Sequence, residues 1–262
     1  MPTATKHTVG TFCWPECATP DAAATKKFYS ELLGWTWKEV PMGEQGSYYI
    51  AELRGGEVAA MYQMTDQMPG PGVPPHWAAY ITVANTDETM AKAQALGGKV
   101  LMGPYDVMEH GRMAVIQDPI GGVFCAWQAK QHCGITLLGE PGTLCWTQLN
   151  ASDPAKAKAF YPELLGWTFQ DMNDPVGGSY TTWMKSDGPA GGMMPMPPGT
   201  GAPSHWLAYW AVEDTRASHA KAEALGAKTF VPPTDIPNML TFAVMQDPQG
   251  VVFALMTPVM PG

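Results

Sequence analysis

The stretch GTFCWPECATPDAAATKKFYSELLGW, residues 10–35, returns as GTLCWTQLNASDPAKAKAFYPELLGW at residues 142–167. A chain that writes one unit twice must fold that unit twice, so this repeat constrains the architecture before composition is considered. Cys13-Trp14 returns as Cys145-Trp146, Phe28-Tyr29 as Phe160-Tyr161, and Gly46-Ser47-Tyr48 as Gly178-Ser179-Tyr180. The offset is 132 residues up to a Pro/Gly-rich link and 129 beyond it. There HWAAY at 76–80 matches HWLAY at 205–209, and AVIQDPIGGVF at 114–124 matches AVMQDPQGVVF at 243–253. The repeat covers nearly the whole chain. It predicts a first domain over 1–130, a linker over 131–141 and a second domain over 142–262.

Each half divides again. Its first part reads as a strand (Thr11–Cys17), a helix (Asp21–Leu33) stopped by Gly34, and strands around Tyr48–Leu53 and Val58–Gln63. After the link QMPGPGVPP the pattern restarts. A strand (Trp77–Val83) leads to a helix (Glu88–Leu96) stopped by Gly97-Gly98, and strands follow near 99–101, 113–117 and 123–128. Strand–helix–strands, four times over, is an α+β pattern.

Composition removes several functions. The formal charge is −9 and the only arginines are Arg54, Arg112 and Arg216. A nucleic-acid binder needs a basic stripe to neutralise phosphates, and none is present. No apolar run reaches the roughly 18 residues of a membrane span, and MPTATKHTVGTFCW lacks the apolar core of a secretion signal. Five cysteines without a CxxC pair read as free thiols, so a cytoplasmic protein is expected. P-loop, GxGxxG, GxSxG and HExxH patterns are absent.

The order of FY…LLGW, ALG and DP.G, twice over, resembles the vicinal oxygen chelate superfamily. That group holds glyoxalase I, extradiol dioxygenases, fosfomycin-resistance enzymes and bleomycin-binding proteins. The resemblance implies two paired βαβββ modules in each half, forming a curled sheet around one pocket, and hence two pockets per chain. It also implies that one fused chain satisfies the pairing that single-domain relatives reach by dimerising, so a monomer is expected.

Metal-dependent relatives carry His, Glu or Gln ligands near the centre of each module's first strand and on its last strand. Carried onto this chain, those positions fall on Trp14 (or Cys13), Ala78, Cys125 and a residue near Ala60 in the first half. In the second half they fall on Trp146 (or Cys145), Leu207, Ala254 and a residue near Gly192. None is a convincing oxygen or nitrogen donor, so no metal cofactor is expected at these places and Trp14 fills the vacated site.

If Trp14 faces the cavity, strand alternation turns Glu16 the same way, together with His76 and Tyr80 on the partner strand. Antiparallel pairing of Trp14 with Ala78 would set Glu16 opposite His76, and Gln148 opposite His205 in the second half. Three readings of Glu16 and His76 stay open. One is a general acid–base dyad for a dehydratase, cyclase or isomerase. Another is a hydrogen-bonded lock between strands. The third is a displaced metal site with Glu109 or His110, as in a metal-dependent lyase or dioxygenase. Around them, Trp14, Tyr80, Met61 and Cys125 in the first half, and Trp146, Gln148, His205, Tyr209 and Met193 in the second, are expected to bind a small apolar or aromatic molecule. The leading expectation is binding or sequestration of such a molecule, of the resistance type.

Overall fold

The computed structural model describes residues 6–66, 68–70, 72–173, 178–196 and 201–258. The outer ends of both expected domains, and parts of the Pro/Gly-rich links, lie outside the described residues. The first half runs β1 (Phe12–Thr19), α1 (Ala22–Leu33), β2 (Thr36–Pro41), β3 (Ser47–Leu53), β4 (Gly56–Gln63), β5 (His76–Thr82), α2 (Thr86–Ala95), β6 (Lys99–Val107), β7 (Gly111–Gln117) and β8 (Val123–Ala129). The second repeats it as β9 (Leu144–Ala151), α3 (Pro154–Leu165), β10 (Thr168–Asn173), β11 (Ser179–Lys185), β12 (Gly188–Pro195), β13 (His205–Ala211), α4 (Thr215–Ala224), β14 (Lys228–Ile236), β15 (Leu240–Gln246) and β16 (Val252–Pro258). The expected α+β duplication is what forms: two curled, unclosed eight-stranded sheets, ordered β2-β3-β4-β1-β5-β8-β7-β6 and β10-β11-β12-β9-β13-β16-β15-β14. The sequence reading missed β2 and β10, which complete the first module of each half.

Local chemistry explains the helix ends. Asp21 caps α1 by accepting from the Ala24 amide at 3.0 Å, and Gly34 ends it in the left-handed region at φ 79°. Asp153 caps α3 in the same way, with Pro154 opening the helix where no amide hydrogen is needed. Along α1 the buried residues Phe28, Tyr29, Leu32 and Leu33 make one stripe.

The two halves share one hydrophobic core. The central strands β5 and β13 pack on one another, α1 meets α4, and α2 meets α3. Two of the repeated signatures are halves of a single device. In the first-half DPIGG turn, Asp118 Oδ1 accepts from the amides of Ile120 at 2.9 Å and Gly122 at 2.7 Å, which fixes the turn. Its Oδ2 accepts from the Tyr161 hydroxyl of α3 at 2.7 Å, across to the other half. Reciprocally, Asp247 takes the amides of Gln249 and Val251, each at 2.9 Å, and the Tyr29 hydroxyl of α1 at 3.3 Å. Burial raises both carboxyls above their ordinary range, Asp247 to about 6.

The expected linker also joins the fold. The Ile135 amide donates to Cys13 O at 2.7 Å and the Thr136 amide to Glu57 O at 2.8 Å, so this segment lies between β1 and β4 where those strands diverge.

Candidate functional site

Strand β1 has two faces. Cys17 pairs with Trp77, whose indole nitrogen donates to the α1 hydroxyl of Tyr29 at 3.1 Å, so this face looks toward the helices and the other half. Trp14, Glu16 and Ala18 look the opposite way, into the hollow of the first sheet.

The register there is displaced by two residues from the one expected. Trp14 pairs with Tyr80, Glu16 with Ala78, and Ala18 with His76, after a bulge between Phe12 and Trp14. The expected Glu16–His76 pairing is therefore corrected. His76 Nδ1 instead lies 2.8 Å from the Pro74 carbonyl, and burial lowers its pKa. The same correction holds in the second half, where Gln148 pairs with Leu207 and His205 with Asn150.

Glu16 finds two other partners. Tyr48 on β3 donates to its Oε2 at 2.5 Å, and Tyr80 on β5 donates to its Oε1 at 2.9 Å. Tyr48 in turn accepts from the Trp14 indole nitrogen at 2.9 Å. That bond gives Trp14 its role: its polar edge orients the tyrosine that holds the acid. The Trp14 ring is itself braced edge-on by His132, 4.6 Å away. His132 sits 2.9 Å from Glu57, whose carboxyl it holds below its usual range.

Burial pushes the Glu16 carboxyl up, and the two tyrosine hydrogen bonds pull it part of the way back. Tyr48 and Tyr80 are driven well above the ordinary phenol value by burial and then by the Glu16 charge. Tyr62, Tyr105 and Cys125 feel the same charge and are raised as well, again mainly through burial. The hollow of the first sheet thus holds one acid among four tyrosines, Trp14, the Cys125 thiol and Met113, whose sulfur lies 3.8 Å from the Tyr80 hydroxyl. Glu16 and Ala78 remain partly exposed there, so the acid can be reached from the hollow.

The second hollow repeats the frame with different chemistry. Trp146 donates to the Tyr180 hydroxyl at 2.8 Å, as Trp14 does to Tyr48. Gln148 stands in the place of Glu16 and accepts from the Tyr209 hydroxyl at 3.2 Å. Its amide nitrogen donates to Asn150 at 3.0 Å, and Asn150 Nδ2 lies 3.0 Å from His205 Nε2. No carboxyl takes part in that chain of contacts.

Of the residues expected to line the two sites, Met61 and Met193 are turned away. Each pairs with a helix-side neighbour, Cys17 and Leu149, and each lies in the shared core. Sequence reasoning missed Tyr48, Tyr62, Tyr105 and Met113. The conserved spacing of Gly46-Ser47-Tyr48 with Gly178-Ser179-Tyr180 was the available signal for Tyr48 and its twin.

The donors at the metal positions implied by the resemblance do not fit a divalent ion. Trp14, Ala78 and Ala60 offer none, Cys125 is kept protonated by burial, and both oxygens of Glu16 already accept from tyrosines. Among the described residues, no three His, Cys, Asp or Glu side chains converge. Glu16 and His76 therefore do not assemble the displaced site with Glu109 or His110. Nor is any described helix long and apolar enough to cross a membrane.

Paired βαβββ modules curled around a hollow, duplicated in one chain, define the fold class. The chain belongs to the Glyoxalase/Bleomycin resistance protein/Dioxygenase superfamily, whose model matches residues 7–125 and again 143–255. The CFP32 protein of Mycobacterium bovis, named provisionally as a glyoxylase, is 40% identical over 98% of both chains. The anthracycline biosynthesis protein DnrV of Streptomyces peucetius is 31% identical over 96% of this chain and 94% of its own. Among solved structures, the 2,3-dioxygenase LapB of Pseudomonas sp. KL28 matches with a TM-score of 0.65 at 14% identity, covering 98% of this chain and 96% of that one. The Mn(II)-bound glyoxalase of Novosphingobium aromaticivorans matches at 0.64 and 15%, covering 95% and 82%. At these identities the structural likeness establishes the fold.

Proposed function

We propose that this chain binds a flat, oxygen-bearing aromatic molecule in the hollow of its first sheet, and that Glu16 exchanges a proton with it without a metal ion. The observation that carries the reading is the state of Glu16. It is an acid raised by burial, reachable from the hollow and fixed by Tyr48 and Tyr80. An acid raised above its ordinary range and held in one geometry is suited to proton exchange with a bound molecule. The partly exposed rings of Tyr48 and Tyr62 and the exposed ring of Tyr105 give the hollow aromatic walls, and fused-ring ligands stack on such surfaces. The name of the anthracycline biosynthesis relative points to the same ligand chemistry.

Anthrone, a tricyclic ketone with acidic ring-CH₂ hydrogens, is a direct probe. The Glu16 carboxylate removes one such proton, the electron pair passes to the ketone oxygen, and return of a solvent deuteron to carbon completes exchange. In D₂O the wild-type protein should accelerate loss of the CH₂ proton signal. Glu16→Gln, which keeps the shape and one of the two acceptor oxygens, should bind anthrone within a few-fold by tryptophan quenching yet exchange no faster than buffer. Exchange by Glu16→Gln at the wild-type rate would refute the assignment.

A further inference from the structure

The two hollows share one backbone plan but differ in what stands beside the residue at position 16 or 148. Glu16 pairs with Ala78, and both are partly exposed. Gln148 pairs with Leu207, and these are only 5% and 4% exposed. The larger side chain has covered its neighbour.

Leu207 does not act alone. With Tyr209 and Ala254 it forms a small apolar cluster separate from the shared core, against which Trp146, Phe242, Val244, Val252 and Met256 pack. The 129-residue offset puts Phe242 where the first half has the slimmer, flexible Met113. A cluster that belongs to one hollow and not to the core is what a filled pocket leaves behind. Other lining positions change as well: Met194, Thr234 and Ala254 stand where the first half has Tyr62, Tyr105 and Cys125, and one change in the sheet itself adds to the filling. Gly192 replaces Ala60 and lets Tyr180 settle so close to the sheet that a Cβ there would collide with its hydroxyl. The tyrosine sinks inward and the second hollow becomes shallower still.

From these contrasts we infer that Leu207, backed by Phe242, plugs the second hollow, and that the Ala78 position decides whether a half can take a ligand. The chain then holds one ligand, in its first half, although it carries two copies of the fold. This inference rests on the binding role proposed above for the first hollow.

Calorimetric titration with 1,8-dihydroxyanthraquinone reads the stoichiometry. Wild type should take one equivalent, Ala78→Leu none, and Leu207→Ala combined with Phe242→Met, which installs the first half's own residues, two. Two equivalents in the wild type, or one in the folded double variant, would overturn the inference. If the wild type takes none, the binding proposal fails, and thermal midpoints still decide this one. On this inference a leucine at 78 enters unfilled space and should leave the midpoint within about 2 °C, whereas Leu207→Ala empties a packed site and should lower it by roughly 5–15 °C. Equal losses at both positions, or a larger loss at 78, would show that the two hollows are filled alike.

Discussion

Replacing Asp247 with asparagine separates the charge of the cross-half clasp from its shape. In the native fold Asp247 is 3% exposed, and burial raises its pKa from 3.8 to about 6, against the opposing pull of the Gln249 and Val251 amides and the Tyr29 hydroxyl. A carboxyl whose folded pKa lies above its unfolded one holds its proton more tightly when folded. Its stabilising contribution is full below about pH 3.8 and is lost as pH rises through about 6. The gap corresponds to about 3 kcal/mol between the two ends of that window. Asparagine keeps the oxygen that fixes the turn but has nothing to ionise. Swapping the group also disturbs the Tyr29 bond, at a cost that is the same at every pH and cancels when two pH values are compared. Urea unfolding at pH 4 and pH 7.5 should therefore show the stability difference between variant and wild type moving by about 2.5 kcal/mol in the variant's favour at the higher pH. For a chain of this size that is a relative midpoint change of about 1 M. Parallel pH profiles for the two proteins would mean that Asp247 ionises as it does in the unfolded chain, and the reasoning would fail.

Two further substitutions test the parts around the first hollow. Gly134 has φ +115°, and a Cβ there would strike the Cys13 carbonyl oxygen, so Gly134→Ala should lower stability by more than about 2 kcal/mol in chemical unfolding; a change under about 0.5 kcal/mol would show that the 132–136 segment is not fixed against β1. Tyr48→Phe removes one of the two hydrogen bonds that pull the Glu16 pKa down, so the pH midpoint of anthrone exchange should rise. An unmoved midpoint would put Glu16 outside the exchange.

The repeat made the fold legible because each copy brings its own caps, stops and alternating strands, and these are local. The register of β1 against β5 was legible only up to a shift of two residues. Such a shift leaves every side chain on its original face, so the apolar pattern reads the same for Ala78 or His76 opposite Glu16. The bulge between Phe12 and Trp14 chose between them, and nothing in the alternation announces it. Met61 was misplaced for the opposite reason: its repetition as Met193 reflects a shared core position and not a lining one. Long-range partners were invisible in a different sense. FY and DP.G were both conspicuous, but the Tyr29–Asp247 and Tyr161–Asp118 bonds join residues that only the packing of one half on the other brings together. His132, which falls in the segment expected to be a linker, braces Trp14 for the same reason.

On the proposed reading the first hollow works through Glu16 and needs no divalent ion. Plasma mass spectrometry of protein purified without an affinity tag or chelator tests it most directly, before and after soaking in Zn²⁺, Ni²⁺, Mn²⁺ and Fe²⁺ followed by desalting. The account predicts trace metal in both samples, with anthrone exchange unchanged by the soak. Near-stoichiometric retention of any one ion, lost on Glu16→Gln, would contradict it and make Glu16 a metal ligand.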